Sequence, residues 1–117
     1  VDDVKINGKL TLGENTADNG GLVLAYMAYM ERAKKEGVDL AAKKDGYTPE
    51  QRLYIAYAQN WCENSRPEMV REQVLTDPHS PDHFRANGAI VNQPGFAAAF
   101  GCKVGTPMVP VNSCRVW

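Results

Sequence analysis

Two carboxylates, Glu14 and Asp18, have a spacing in this chain that would suit a catalytic or metal-binding site. Residues four apart lie on the same face of an α-helix, so both carboxylates are predicted to point the same way. Leu22 and Ala25 continue that face, which predicts that the acids lie on the buried side. A buried carboxylate must be paired or bound to a metal, and Glu is a good oxygen ligand for zinc. The alternative is that both acids lie in a first helical turn and complement the helix dipole.

A second candidate site lies in the segment TDPHSPDHFRANG, residues 76–88. His79 is predicted to lie in a turn fixed by the prolines on either side of it, and Arg85 to lie just inside a helix. Such a pair can donate hydrogen bonds to one developing oxyanion. The alternative is a histidine in a surface turn and an arginine on a solvated face. His83 has no comparable support, and we interpret it as a surface or capping residue.

Helical patterns predict the elements that must position these residues. Residues 14–36 have apolar side chains at helical spacing, with a lysine pair near the end and Gly37 just past it. This pattern predicts one long helix that ends at a glycine cap. Gly20 and Gly21 lie inside it and indicate the close approach of another backbone.

Shorter helices are predicted along the rest of the chain. Thr48 and Gln51 form a capping box around a proline at the first helical position, and Ser80 before Pro81 is predicted to cap another helix. Strand signals are nearly absent, and the proline-containing tail from residue 103 predicts an irregular C-terminal arm. The fold class is therefore predicted to be mostly α. The predicted shorter helices cover residues 49–62 and 66–75, a segment from 81 and a last short stretch at 95–100.

Aromatic and methionine side chains recur at helical spacing in two of these helices, and we interpret them as core packing. The sequence contains no GxGxxG, Walker loop, GxSxG or recognisable Cys–His dyad, so it offers no candidate for nucleophilic catalysis. The residues interpreted as core are Tyr26, Met27, Tyr29, Met30, Tyr54, Tyr57 and Trp61.

Composition excludes some classes of partner. The 117 residues are 44% hydrophobic and 23% charged with a net charge of −1, so nothing indicates binding to nucleic acid or an anionic membrane. No apolar run approaches the roughly 18 residues of a membrane span. The acidic start lacks the features of a signal peptide, and a chain that opens on Val is expected to be a piece of something longer.

Three cysteines, Cys62, Cys102 and Cys114, are an odd number without CxxC spacing. This argues against a self-contained zinc knuckle or a closed disulfide framework. Two alternatives stay open from composition: free thiols in a reducing compartment, or thiols whose partners lie in another part of a longer, secreted chain.

Several segments together resemble one family. GKLTLGENTADNGGLVLAY, YAQNWCENSRPEMVREQVLTDPHSPDHFRANG, FAAAFGC and the terminal CRVW resemble the C-terminal end of the neprilysin and endothelin-converting-enzyme family of zinc metallopeptidases. The resemblance runs from about Gly8 to Trp117, in four separated motifs that stand in the right order. It implies the C-terminal helical portion of a thermolysin-like (gluzincin) catalytic domain over residues 1–117, which would act outside the cytoplasm on oligopeptides, often before a hydrophobic residue.

The resemblance also implies a role for each candidate residue. Glu14 would be the third zinc ligand, and Asp18 would orient a zinc-binding histidine. His79 would stabilise the tetrahedral oxyanion, and Arg85 would hold a substrate carbonyl. The sequence departs from the family at Thr16, where Ile, Val or Leu is usual; because Thr is also β-branched, the helix is expected to survive.

The larger departure is that the chain contains no HExxH. In the family this upstream motif supplies two zinc-binding histidines and the general-base Glu, so the other zinc ligands would lie outside this chain. The resemblance also implies that its three cysteines pair with cysteines outside this segment. We therefore expect the fragment alone to lack peptidase activity, to bind Zn²⁺ weakly, to pack against the remainder of its parent domain and to self-associate through exposed apolar surface.

Two other classes of protein remain as alternatives. One is a catalytically inactive binding module that keeps the helical scaffold, which would lack HExxH upstream as well. The other is a stand-alone structural helical domain in which Glu14 and Asp18 are only helix-start acids. This second alternative predicts a soluble monomer with no large exposed apolar patch.

Overall fold

The computed structural model describes residues 3–116, so Trp117 of the terminal CRVW motif lies outside the described part, as do Val1 and Asp2. The described part contains only helices and loops, apart from two isolated β-bridges, and this confirms the predicted mostly-α fold. None of its helices combines the length and apolarity required to cross a bilayer. The helices are α1 (Gly8–Glu36), α2 (Pro49–Gln59), α3 (Pro67–Thr76), α4 (Asp82–Ile90) and α5 (Pro94–Phe100).

Helix α1 begins earlier than the sequence predicts, at Gly8 instead of residue 14. Asn7 caps it, because its side-chain Oδ1 accepts hydrogen bonds from the main-chain N–H groups of Lys9 and Leu10 at 3.1 and 3.3 Å. No acidic residue lies in the first turn. The interpretation of Glu14 and Asp18 as helix-start acids is therefore wrong. The predicted C-terminal cap is confirmed, since Gly37 adopts a left-handed φ of 67°.

The other helix starts agree with the sequence in part. The predicted capping box of α2 is present, with Thr48 Oγ1 accepting from Gln51 N–H and Gln51 Oε1 accepting from Thr48 N–H. The predicted Ser80 cap of α4 is wrong, because Pro81 holds the cap position and no side chain caps this helix. Instead the buried Ser80 hydroxyl donates to Asn15 Oδ1 of α1 at 2.8 Å, which ties the loop before α4 to α1.

The helices pack α1 against α4 and α2 against both α4 and α5. Tyr54 is the largest fully buried side chain, and its ring stacks on Tyr26 and meets Phe96 edge-on at centroid distances of 5.9 and 5.6 Å. Leu22 lies in the same cluster, as predicted, but Met27 is 58% exposed, so its interpretation as core is wrong. This packing brings α1 and α4 side by side, and the candidate residues lie on these two helices and the turn before α4.

The close approach predicted at the glycine pair of α1 is not seen at Gly21, whereas Gly20 is buried. Space is open around Gly21, where an added Cβ would have no neighbour within 4 Å. At Gly95, in contrast, an added Cβ would lie 2.5 Å from Tyr54 Oη and 2.8 Å from Tyr26 Cζ. Gly95 is therefore the position at which α5 presses its backbone against the aromatic core.

The C-terminal arm is irregular, as predicted, and is held by amide side chains. Asn19 of α1 donates from Nδ2 to the carbonyl of Cys114 at 3.1 Å, and the N–H of Cys114 donates to Asn92 Oδ1 at 2.7 Å. Gln93, which is buried, donates to Asn19 Oδ1 at 2.9 Å. These bonds fix the arm across α1 and the loop between α4 and α5.

Candidate active site

The fold brings all four predicted site residues together. Glu14 and Asp18 come from α1, His79 from the turn between α3 and α4, and Arg85 from α4. Glu14 Oε2 lies 3.3 Å from His79 Nε2 and 3.6 Å from Arg85 Nη2. One carboxylate thus faces both residues that the sequence singled out as oxyanion donors, although 65 residues separate Glu14 from His79 in the chain.

Asp18 and Arg85 form the tightest contact of the cluster. Arg85 donates from Nε to Asp18 Oδ2 at 2.6 Å and from Nη2 to Asp18 Oδ1 at 2.8 Å, in a bidentate arrangement. Their side chains are only 13% and 14% exposed. The hydrogen bonds that Arg85 donates to Asp18 raise the pKa of Arg85 above its already high ordinary value, so the guanidinium is charged throughout the working range.

His79 is oriented by Asp77, a residue that the sequence analysis missed. Asp77 Oδ1 lies 2.7 Å from His79 Nδ1 and also accepts the main-chain N–H of His79 at 2.8 Å. These bonds, the main-chain bond first, lower the pKa of Asp77 and favour the carboxylate. With Nδ1 held, Nε2 is the free ring nitrogen and faces Glu14. The signal for Asp77 was an Asp two residues before the His, which is the spacing of an Asx turn.

Two aromatic residues at the end of α2 also contact Arg85. The guanidinium carbon of Arg85 lies 4.2 Å from the ring centroid of Trp61, within the range of a cation–π contact. Tyr57 donates its hydroxyl to the main-chain carbonyl of Arg85 at 3.4 Å. Helical spacing predicts core packing for both residues, because spacing alone does not show that a charged group lies over the ring.

The donor set of this chain alone does not fit a zinc site. Catalytic zinc takes three protein ligands, and residues 3–116 contain no group of three His, Cys, Asp or Glu side chains placed to hold a metal ion. Glu14 is 42% exposed, so the prediction that both acids lie on the buried side is wrong for Glu14. Glu14 is thus one accessible carboxylate beside an oriented imidazole, and a zinc site here would require further ligands from outside residues 3–116.

Comparison with protein families identifies the family to which this chain belongs. The sequence model of peptidase family M13 matches residues 1–116. The chain belongs to peptidase family M13. It is 47% identical over 117 residues to Neprilysin-1 of Caenorhabditis elegans, covering 98% of this chain and 16% of that protein. It is 46% identical over 112 residues to endothelin-converting enzyme 1 of Bos taurus, covering 96% of this chain and 15% of that enzyme.

Solved structures of M13 relatives share the fold. The zinc metalloprotease of Mycobacterium tuberculosis in its open state superposes with a TM-score of 0.85 at 34% identity, covering 96% of this chain and 17% of that chain. A Haemonchus galactose-containing glycoprotein complex superposes with a TM-score of 0.87 at 37% identity, covering 96% and 20%. The predicted family and its helical C-terminal portion are therefore confirmed. The chain spans about a sixth of the length of the curated relatives.

Proposed function

We propose that this chain is the C-terminal part of the catalytic domain of a zinc-dependent metalloendopeptidase that hydrolyses oligopeptides. The observation that carries the proposal is the convergence of Glu14, Asp18, His79 and Arg85 in an M13 chain, within hydrogen-bonding or ion-pair distance of one another. The cluster offers one accessible carboxylate as a metal ligand and an imidazole and a guanidinium as hydrogen-bond donors to substrate, and the general-base Glu would come from an HExxH outside this chain.

In this proposal Glu14 is the third protein ligand of the zinc ion, and the remaining two are histidines of an HExxH outside this chain. Bound zinc would polarise the scissile carbonyl and activate a water molecule. Asp18 accepts from Arg85 through both oxygens, but each carboxylate oxygen can accept more than one hydrogen bond. Asp18 can therefore also hold the N–H of a zinc-binding histidine, the role that the resemblance implies.

His79 and Arg85 act on the substrate in this proposal. Asp77 holds Nδ1 of His79, so Nε2 is the nitrogen left to face the tetrahedral oxyanion, to which it donates in the form of the ring that carries a proton on both nitrogens. Arg85 uses Nε and one side of Nη2 on Asp18, and its remaining N–H groups hold a substrate carbonyl. Both donors are fixed before substrate arrives, which is the condition for stabilising charge that develops only in the transition state.

The surface of the chain favours a part of a larger domain over a stand-alone structural domain. Its accessible surface is 8007 Å², against about 6,300 Å² for a compact monomer of this mass. Its radius of gyration is 15.8 Å, against about 13 Å for a compact domain of this length. Leu12, Leu24 and Met27 of α1 are 63%, 54% and 58% exposed. We propose that the remainder of the parent domain covers this surface, and that the isolated fragment self-associates through it.

The cysteines and the location follow the same proposal. Cys62 and Cys114 are exposed, and no disulfide joins the cysteines of the described residues. We propose that they pair with cysteines elsewhere in an extracytoplasmic parent that is secreted, periplasmic or anchored through another segment. The alternative of a catalytically inactive binding module keeps the same scaffold, and it requires that the parent lack HExxH.

The test uses the full-length parent with Glu14→Gln, which keeps the size of the side chain and removes its charge. We expect loss of zinc and of peptide hydrolysis. The matched control is Glu31→Gln, an exposed glutamate of the same helix that the cluster does not include. Full zinc content and activity in Glu14→Gln would overturn the proposal.

A further inference from the structure

The guanidinium of Arg85 is held on two sides. Asp18 binds it in its plane at 2.6 and 2.8 Å, and the indole of Trp61 lies 4.2 Å away. The in-plane pair alone leaves the guanidinium free to tilt about the axis through its two hydrogen bonds. A ring face against the guanidinium removes that freedom, because the negative face of an aromatic ring attracts the cation.

The indole is itself well supported. Trp61 lies two residues past the end of α2, and its main-chain N–H donates to the carbonyl of Ala58 at 3.1 Å. Tyr57, one turn earlier, meets the indole edge-on at a centroid distance of 6.2 Å and an interplanar angle of 69°. Because Tyr57 also donates to the carbonyl of Arg85, the end of α2 contacts both the main chain and the side chain of this arginine.

Hydrogen bonding by the indole nitrogen of Trp61 does not explain the orientation of the ring. The indole nitrogen is buried and makes no hydrogen bond of normal geometry within residues 3–116. The contacts that place the ring are the edge-on packing of Tyr57 and the guanidinium of Arg85 beside the ring.

We propose that Trp61 is a positioning residue for Arg85: its indole fixes the tilt of the guanidinium, so that the N–H groups not used by Asp18 point at the substrate carbonyl. The inference rests on the proposed function, because it requires that Arg85 bind substrate. It adds that the geometry of the contact between Arg85 and substrate is set by the π face of Trp61, just past the end of α2.

The experiment uses the full-length peptidase with Trp61 replaced site-specifically by tryptophans with increasing numbers of ring fluorines. Fluorination weakens the negative face of the ring and nearly keeps its shape, so a purely structural role predicts a constant kcat/KM. Our inference predicts a stepwise fall that totals about 3- to 30-fold, the range of a partly desolvated cation–π contact. Trp61→Phe should retain more activity than Trp61→Leu at equal zinc content. A kcat/KM that does not change with fluorination overturns the inference.

A double-mutant cycle separates this inference from the proposed function. In an Arg85→Met background there is no cation to position, so fluorination of Trp61 should change kcat/KM by less than about twofold. If Arg85→Met lowers kcat/KM and fluorination has the same effect in both backgrounds, the positioning role fails and the proposed function of Arg85 stands. If Arg85→Met leaves kcat/KM unchanged, Arg85 does not act on substrate, and both fail.

Discussion

Replacement of Asp18 by Asn in the full-length parent tests the pair that fixes Arg85. Asn has nearly the size of Asp, but only one of its two terminal atoms can accept a hydrogen bond. The bonds from Arg85 at 2.6 and 2.8 Å therefore cannot both survive. The guanidinium, whose side chain is only 14% exposed, then keeps Glu14 at 3.6 Å as an ion-pair partner but loses its bidentate one.

The expected size of the effect depends on how deeply the Asp18–Arg85 pair is buried. An exposed ion pair contributes about 0–1 kcal/mol, whereas a hydrogen bond to a charged group contributes about 1.5–3 kcal/mol. With both side chains at 13–14% exposure, we expect the larger range to apply. If that energy is lost from the positioning of Arg85 in the transition state, kcat/KM falls about 10- to 150-fold. Loss of the carboxylate that orients a zinc-binding histidine would also weaken zinc affinity about 10- to 100-fold.

Two assays separate the effects. Zinc affinity is measured by competition with a chelator, and kcat/KM is then measured at saturating zinc, where only the effect on Arg85 remains. The matched control is Glu36→Gln, which breaks the pair with Arg32 on the same helix; its N–O distance is 2.8 Å but its side chains are 51% and 77% exposed. We expect less than a twofold change there. Wild-type zinc affinity and kcat/KM for Asp18→Asn would refute the reasoning.

Three further predictions concern the other site residues. His79→Ala should lower kcat far more than it raises KM, since its contact strengthens only in the transition state, and steady-state kinetics showing a pure KM effect would remove that role. Asp77→Asn should also lower kcat. Hydrogen bonds from His79 hold the pKa of Asp77 below its ordinary 3.8, so this carboxylate stabilises the folded state above pH 3.8 and loses that effect as pH falls through the lowered pKa. The Asp77→Asn variant should therefore lack this part of the pH dependence of acid unfolding. An unchanged pH dependence would contradict the assignment of Asp77 as the partner of His79. The fragment alone should show weak zinc binding by calorimetry and no peptidase activity, whereas a tight one-to-one site abolished by Glu14→Ala would contradict the need for outside ligands.

The sequence predicted the elements best where local chemistry decides them. The capping box at Thr48 and the glycine cap at Gly37 depend on a few neighbouring residues, and both are present. The start of α1 was wrong because the cap is Asn7, which lies before the apolar pattern begins. Ser80 fits a cap by local pattern, but a tertiary hydrogen bond to Asn15 takes its hydroxyl instead. Local helix-capping propensity does not show that a tertiary hydrogen bond competes for the same hydroxyl.

The sequence predicted which residues form the candidate site, but not which of them contact one another. Helical spacing singled out Glu14, the 76–88 segment singled out Arg85, and the family resemblance implied a role for each, yet neither motif indicates that α4 would place the guanidinium beside α1. Asp77 and Trp61 were missed because an Asx turn and a helical aromatic stripe have common structural explanations. Only the packing of α2 and α4 shows that Trp61 lies beside a cation.

The zinc content of the purified full-length parent is the most direct test of whether Glu14 is a zinc ligand. Elemental analysis of wild type, Glu14→Gln and Glu31→Gln requires no substrate, so it does not depend on which peptide the enzyme cleaves. We predict one zinc ion per chain in the wild type and in the Glu31 variant, and a large loss of zinc in the Glu14 variant. One zinc ion per chain in Glu14→Gln, held as tightly as in the wild type, would contradict the assignment of Glu14 as a ligand.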